Sequence, residues 1–316
     1  MTSEASPSQK TPRILYKTDI VVIGAGQAGL SSAFYLKRYG LEPGEGFVVL
    51  DQSAHAPNTA GASKYRWPSL PLSTFNPTHD LPGMPFSEAV DTDAPEVQAN
   101  VAVPEYFKVY EETFDLPVYR PIRVMAVCER EDRYRVETDG PFFSARGIIN
   151  ATGTWESPYI PGYPGADLFK GRQLHTKDYN RPEEFRGEHV VIVGAGISAI
   201  QLLDEISQVT ETTWVSRREP DFREGPFTLE DGRAAVAIVE ERVRRGLPPG
   251  SVVSVTGLPI TPRVEAMRER GVLEWNPMFS EISENAVHWP DGTSLEVDVI
   301  LWCTGFRSSL DHLAPL

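Results

Sequence analysis

Ile20-Val21-Val22-Ile23-Gly24-Ala25-Gly26-Gln27-Ala28-Gly29-Leu30 is the stretch on which the fold turns. A β-branched apolar run meets Gly-x-Gly-x-x-Gly and passes into Leu30, Ala33, Phe34 and Leu36 at helical spacing, which predicts strand, tight turn and helix in that order. Gly24 permits the turn, Gly26 lets the backbone approach a pyrophosphate, and Gly29 lets helix and strand pack closely. A phosphate would then sit at the positive end of the helix. A second apolar strand, Phe47 to Leu50, ends in Asp51, 22 residues beyond Gly29. A carboxylate there suits a ribose diol. Glycine turns also serve packing alone, but strand, helix and acid together predict a dinucleotide site.

The pattern recurs. His189 to Val193 leads into Gly194-Ala195-Gly196-Ile197-Ser198-Ala199 and the helical stretch Ile200 to Ile206. Ala199 replaces the third glycine, where a methyl still fits between helix and strand. Ser198 opens the helix, either binding a phosphate oxygen or capping. The next strand, Thr212 to Val215, ends not in an acid but in Ser216-Arg217-Arg218. Two guanidinium forks beside a hydroxyl suit a ribose 2′-phosphate, Arg217 ahead of Arg218. The plainer alternative is a pair of solvated charges, with Glu219 as a partner. Two such sites in one chain have a chemical meaning: one holds FAD and the other binds NADPH, whose nicotinamide delivers hydride. The expected fold class is α/β, two Rossmann-like dinucleotide-binding domains with the NADPH domain inserted into the FAD domain.

Composition agrees. The chain has 316 residues, 41% of them hydrophobic, enough for about two domains with real cores. Its 30 basic and 44 acidic residues give a net charge of −14, so the average surface repels nucleic acid and anionic lipid. Cys128 and Cys303 are the only cysteines, which leaves no disulfide framework, no zinc spacing and no C-x-x-C pair. Met1 to Lys10 is polar and lacks a signal-peptide pattern, and no apolar run is long enough to span a bilayer. A cytoplasmic enzyme of small molecules is the expectation, with no metal, nucleic-acid or membrane partner.

Two further strands stop at Thr-Gly turns, Gly147 to Asn150 at Thr152-Gly153 and Val299 to Trp302 at Thr304-Gly305. They bracket the second fingerprint, as crossings between two domains would, and both turns are candidate cofactor contacts; punctuation of the strands is the alternative. The expected division is a tail at 1–13, an FAD-binding domain at 14–156 and 291–316, and an NADPH-binding domain at 157–290. Helices are expected over Pro104 to Phe114, Leu229 to Arg245 and Val264 to Arg270, with a hairpin turning at Asp291-Gly292.

With Phe169-Lys170-Gly171-Arg172-Gln173-Leu174-His175-Thr176-Lys177-Asp178-Tyr179 added, the chain resembles the class B flavoprotein monooxygenases, whose signature is F-x-G-x-x-x-H-x-x-x-W in Baeyer–Villiger enzymes. Tyr179 stands in place of that tryptophan, which favours the flavin-containing (heteroatom-oxidising) branch. Gly153-Thr154-Trp155-Glu156-Ser157-Pro158 and Leu81-Pro82-Gly83-Met84-Pro85-Phe86 resemble further segments of that group. Where relatives carry G-G-S/T-W, this chain reads Thr59 to Trp67, and it ends at Leu316 whereas relatives continue. The resemblance implies a monooxygenase in which NADPH reduces FAD and a C4a-(hydro)peroxyflavin oxygenates a small organic substrate with O2. Nitrogen or sulfur is a more natural target than a carbonyl.

It also supplies site candidates. His175 is the signature histidine, read as catalytic in the wide sense, with a hinge role preferred over proton transfer. Asn76, and less so His79, lie in a loop that could approach the flavin, although Asn before Pro also forms turns. Arg66 and Trp67 contact flavin or substrate, or else anchor a loop through a buried indole. Val124 stands where relatives hold the flavin adenine by main-chain groups. Two other readings share the fingerprints: a pyridine nucleotide–disulfide oxidoreductase, which needs a redox cysteine by the flavin, and a non-catalytic dinucleotide sensor.

Overall fold

The computed structural model describes residues 14–54, 66–72, 80–90, 97–225, 228–247 and 256–316. The chain divides into two compact units, 1–157 with 307–316, and 158–306.

The first unit is built on a six-stranded sheet. Strand β1 (Leu15–Ile23) leads into helix α1 (Gln27–Arg38), β2 (Phe47–Leu50), α2 (Phe86–Ala89), α3 (Ala99–Thr113), β3 (Val118–Tyr119), β4 (Val124–Arg130), β5 (Arg133–Thr138) and β6 (Phe142–Asn150). The order is β3-β2-β1-β6-β5-β4. Strands β3, β2, β1 and β6 run parallel, and β4 and β5 add an antiparallel extension. Alternation along β1 explains how the sheet is covered on both faces. Ile20 and Val22 join α1 and α3 in a cluster with Leu30, Phe47, Val49, Tyr106 and Tyr110, while Val21 and Ile23 join Val48, Leu50, Val127, Val136 and Phe143 in another. Each such side chain, fully buried, contributes about 1.5–3 kcal/mol.

Helix α3 begins five residues earlier than the sequence pattern predicts. Pro104, which the pattern takes for a start, lies inside the helix and is buried in its packed face. Tyr106 and Tyr110 are core residues whose hydroxyls donate to the carbonyls of Met84 and Pro82.

The second unit holds a five-stranded, wholly parallel sheet. In chain order it contains β7 (Arg172–His175), β8 (Val190–Val193), α4 (Ile197–Ile206), β9 (Thr212–Ser216), β10 (Phe222–Arg223), α5 (Leu229–Arg244), β11 (Leu258–Pro259), the helix Pro262–Glu269, β12 (Trp275–Pro277), β13 (Glu281–Ile282), β14 (Ala286–His288), β15 (Ser294–Glu296) and β16 (Val299–Trp302). The sheet order is β12-β9-β8-β16-β7. The hairpin at Asp291-Gly292 joins β14 to β15. The chain does not leave this unit at residue 290, as the sequence division has it. Strand β16 is apolar throughout and fully buried between β8 and β7, so the boundary falls after Phe306. Among the described residues no helix is long and apolar enough to cross a membrane, and no His/Cys/Asp/Glu group could hold a metal.

Candidate functional site

At the carboxyl end of β1 the three glycines do three different things. Gly24 has φ +99°, and a Cβ on it would lie 2.5 Å from the Ala151 carbonyl oxygen. A Cβ on Gly29 would lie 1.9 Å from the Gly24 oxygen, so this glycine serves helix-on-strand packing. Gly26 has ordinary extended angles and open space where its Cβ would be. That open space is part of a cavity of about 780 Å³ in the first unit, within the ordinary size range of a cofactor site. Gly24, Gly26, Asp51, Arg66, Val124, Thr152 and Gly153 all line it. Trp67 is buried and is not among the residues lining the cavity. Asn76 and His79 lie outside the described residues.

Asp51 closes β2 with its carboxylate already oriented. Oδ2 accepts from the Ala25 N–H at 2.8 Å, and Oδ1 accepts from the Ser53 N–H at 2.9 Å and from the Ser53 hydroxyl. Oδ2, which accepts a single hydrogen bond, keeps lone-pair capacity for a ribose hydroxyl. Burial pulls the Arg66 guanidinium down to about 10. It is therefore a cation at neutral pH, suited to an anionic or electron-rich ligand.

Sequence reasoning missed several cavity residues. Arg120 follows β3, and its two terminal nitrogens donate to both oxygens of Glu111 on α3 at 2.7 and 2.6 Å. Burial lifts the Glu111 carboxyl above its ordinary value, against the opposing pull of Arg120. Ser309, Asp311 and His312 also line the cavity. The Ser309 carbonyl accepts from the Thr152 hydroxyl at 2.7 Å, and His312 Nε2 donates to Asn150 Oδ1 at 2.8 Å. No motif marks these residues; only their convergence in space does.

In the second unit Gly194 has φ +139°, and a Cβ there would lie 2.3 Å from the Cys303 oxygen. Gly196, the N-cap of α4, again faces open space, and Ala199 is fully buried where the third glycine would stand. Ser198 sits in the first turn of α4. Arg217 and Arg218 are exposed beyond β9, and Arg217 is close enough to Tyr163 to oppose the rise that burial gives its phenol. Ser216 is part of the turn itself. It is buried, donating to the Arg218 carbonyl at 2.6 Å and accepting from Trp275 Nε1 at 2.9 Å, so it shapes the arginine turn.

The signature histidine is a clamp. His175 is 1% exposed; its Nδ1 accepts from the Lys177 N–H at 3.1 Å and its Nε2 donates to the Gly305 carbonyl at 2.9 Å. Those partners select the neutral Nε2-H tautomer. With both nitrogens engaged by backbone groups, the ring is held in place, an arrangement that accords with a hinge role rather than proton transfer. Gly305 and Thr304 take part in the same scaffold: the Gly305 carbonyl also accepts from the Tyr159 N–H at 2.9 Å, and the Thr304 hydroxyl donates to the Tyr159 carbonyl. Gly171 of the same signature belongs to this scaffold, since a Cβ on it would lie 2.3 Å from the Asp298 oxygen.

Burial lowers the His175 pKa, so the folded state favours the neutral ring. The unfolded chain, with an imidazole near the ordinary value of about 6.5, takes up the proton first as pH falls. Stability is therefore fully present above that value and declines as pH drops through it toward the lower folded pKa. The thermal midpoint is expected to fall between pH 7.5 and 5.5, and His175→Gln to flatten that slope. An unchanged slope in the variant would assign the titration elsewhere.

Neither cysteine lines the cavity. Cys303 is buried and its thiol is pushed up to about 12, far from a thiolate at neutral pH.

The profile of the pyridine nucleotide-disulphide oxidoreductase family matches residues 21–229. The chain is similar to a flavin monooxygenase from Stenotrophomonas maltophilia, solved as a double mutant, with 38% identity, a TM-score of 0.76, and 95% of this chain and 81% of that one covered. It is 26% identical over 302 residues to the oxidoreductase CzcO of Bacillus velezensis, covering 92% of this chain and 82% of that one. It is also 26% identical over 341 residues to mouse dimethylaniline monooxygenase [N-oxide-forming] 2, spanning 62% of its length. The chain belongs to the pyridine nucleotide-disulphide oxidoreductase family and, within it, is an oxidoreductase of the flavin-containing monooxygenase type.

Proposed function

We propose that this enzyme uses NADPH and O2 to oxygenate a nitrogen or sulfur centre of a small organic molecule, with FAD bound in the first unit. One observation carries the reading: the cavity joins the open Gly26 turn, the oriented Asp51 carboxylate and the Thr152-Gly153 turn in one concave site. A dinucleotide fits it. The Gly26 turn and the start of α1 would hold the pyrophosphate, Asp51 the adenosine ribose, and Val124 the main-chain edge near the adenine. The flavin supplies electron transfer from the nicotinamide and activation of O2. The protein's residues bind, orient and exclude water, which is why no acid–base triad is required.

In the second unit, Gly194 and Gly196 at the start of α4 would cradle the NADPH pyrophosphate. Arg217, with Arg218, would read the 2′-phosphate by charge-assisted hydrogen bonds. Heteroatom oxygenation is favoured over carbonyl insertion by Tyr179, which replaces the Baeyer–Villiger tryptophan and is held at 2.8 Å to Glu205. The small number and wide separation of cysteines accord with a reducing cytoplasm.

Labelled oxygen tests this reading. Supplied with NADPH, ¹⁸O2 and a panel of tertiary amines and thioethers, the enzyme should yield N- or S-oxides carrying one labelled atom. NADPH consumption with unlabelled product, or none, contradicts it. The disulfide-reductase alternative is separated by removing both thiols: the double variant Cys128→Ser/Cys303→Ala should keep its NADPH-driven turnover, whereas a thiol mechanism would be abolished.

A further inference from the structure

The Arg120 side chain is 10% exposed, yet its Nε–H has no hydrogen-bond partner among the described residues. Buried donors are rarely left so. Asp51 Oδ1 lies 3.7 Å from it, within ion-pair range but too far for a hydrogen bond, and both residues line the cavity. The position is built rather than incidental: β2 pairs with β3 through Leu50 and Tyr119, and the Asp51 N–H donates to the Tyr119 carbonyl at 3.1 Å. Meanwhile the two nitrogens with which an arginine grips a phosphate are both committed to Glu111. What remains is a single unpartnered donor beside a carboxylate, on a residue that lines the cavity, in a cluster of two acids and one base.

We propose that the Glu111–Arg120 pair is a specificity device of the first dinucleotide site. Arg120 offers its Nε–H to a neutral acceptor at the adenosine end of the ligand, and Glu111, by holding the guanidinium fork, keeps this arginine from accepting a 2′-phosphate. The two sites of the chain would thus sort their dinucleotides by what their arginines are allowed to do. In the first, the arginine is clamped by a carboxylate; in the second, Arg217 is left exposed. The inference rests on the assignment of FAD to the first unit.

The test is titration of FAD into flavin-stripped full-length protein, followed by flavin fluorescence, with ADP and 2′-phospho-ADP as displacers. Displacement of FAD reads the first site alone, even though the second also takes adenine nucleotides. Arg120→Lys keeps the charge but loses the planar donors, and should weaken FAD by about tenfold. Glu111→Gln keeps the shape and releases the fork, and should raise the potency of 2′-phospho-ADP relative to ADP by about tenfold. A Glu111→Gln protein with the wild-type displacer ratio overturns the proposal, whatever its stability. So does an Arg120→Lys protein with wild-type FAD affinity. Should Arg120→Lys fail to fold, the displacer ratio of Glu111→Gln decides alone. Failure of the wild-type protein to bind FAD overturns the cofactor assignment, and this inference with it.

Discussion

Gly26→Val is expected to give a folded protein that no longer retains flavin. Two facts make this substitution informative. The Gly26 backbone has φ −83° and ψ −169°, angles any residue adopts, and nothing lies within 4 Å of its would-be Cβ. The fold therefore tolerates a side chain, with a change in stability of about 0.5 kcal/mol or less. Yet the vacant volume is the approach to the start of α1, where a pyrophosphate needs backbone N–H groups at close range. An isopropyl group there should weaken FAD by about 100-fold or more, the loss of several charge-assisted hydrogen bonds of about 1.5–3 kcal/mol each. Gly29→Val is the contrast, because its Cβ would collide with the Gly24 oxygen and the helix could not seat on its strand. That variant should lose both flavin and cooperative unfolding. Absorbance of the purified proteins and urea melts separate the cases, and a yellow Gly26→Val enzyme would remove the glycine turn from the cofactor site.

Arg217→Ala should convert a preference for NADPH into indifference or a preference for NADH. A guanidinium on a phosphate dianion contributes about 1.5–3 kcal/mol, so kcat/KM for NADPH should fall by about 10- to 150-fold while that for NADH changes little. Arg218→Ala should follow in the same direction with a smaller effect. Because both side chains are exposed, their removal should leave the fold intact, and Ser216 continues to brace the turn through Trp275 and the Arg218 carbonyl. Steady-state kinetics with the two coenzymes are sufficient. An unchanged NADPH-to-NADH ratio in both variants would make the arginines ordinary surface charges.

The parts of the site that could be read from sequence are those whose physics is local. A glycine forced to positive φ, a helix starting after it and an acid at the next strand end all fall within about 30 residues, so Gly24, Gly29 and Asp51 were legible with their separate reasons. Arg120 and Glu111 were not, since each is an unremarkable charge in its own segment; Arg120 comes to line the cavity, with Glu111 bonded to its guanidinium, only when β3 pairs with β2. Ser309 and His312 reach the cavity only because the last segment belongs to the first unit. The signature around His175 shows the opposite limit. Its location could be quoted from the sequence, but its role depends on a carbonyl 130 residues away, which fixes the tautomer by accepting a hydrogen bond from Nε2–H. The late boundary of the second unit has the same origin. Strand β16 looks like a crossing in the sequence, and only pairing with β8 and β7 shows it to be central to that sheet.

One experiment bears most directly on the claim that a flavin cradled by the first glycine turn is reduced by a 2′-phosphorylated nicotinamide held at the second. The purified full-length protein, reconstituted with FAD, is mixed with NADPH without air while the flavin absorbance is followed, and the trace is compared with NADH. The account predicts stoichiometric FAD binding and bleaching that is faster or half-saturates at lower concentration with NADPH, with the colour returning when air is admitted. A protein that stays colourless after reconstitution, or whose bound flavin NADPH does not bleach, would contradict it.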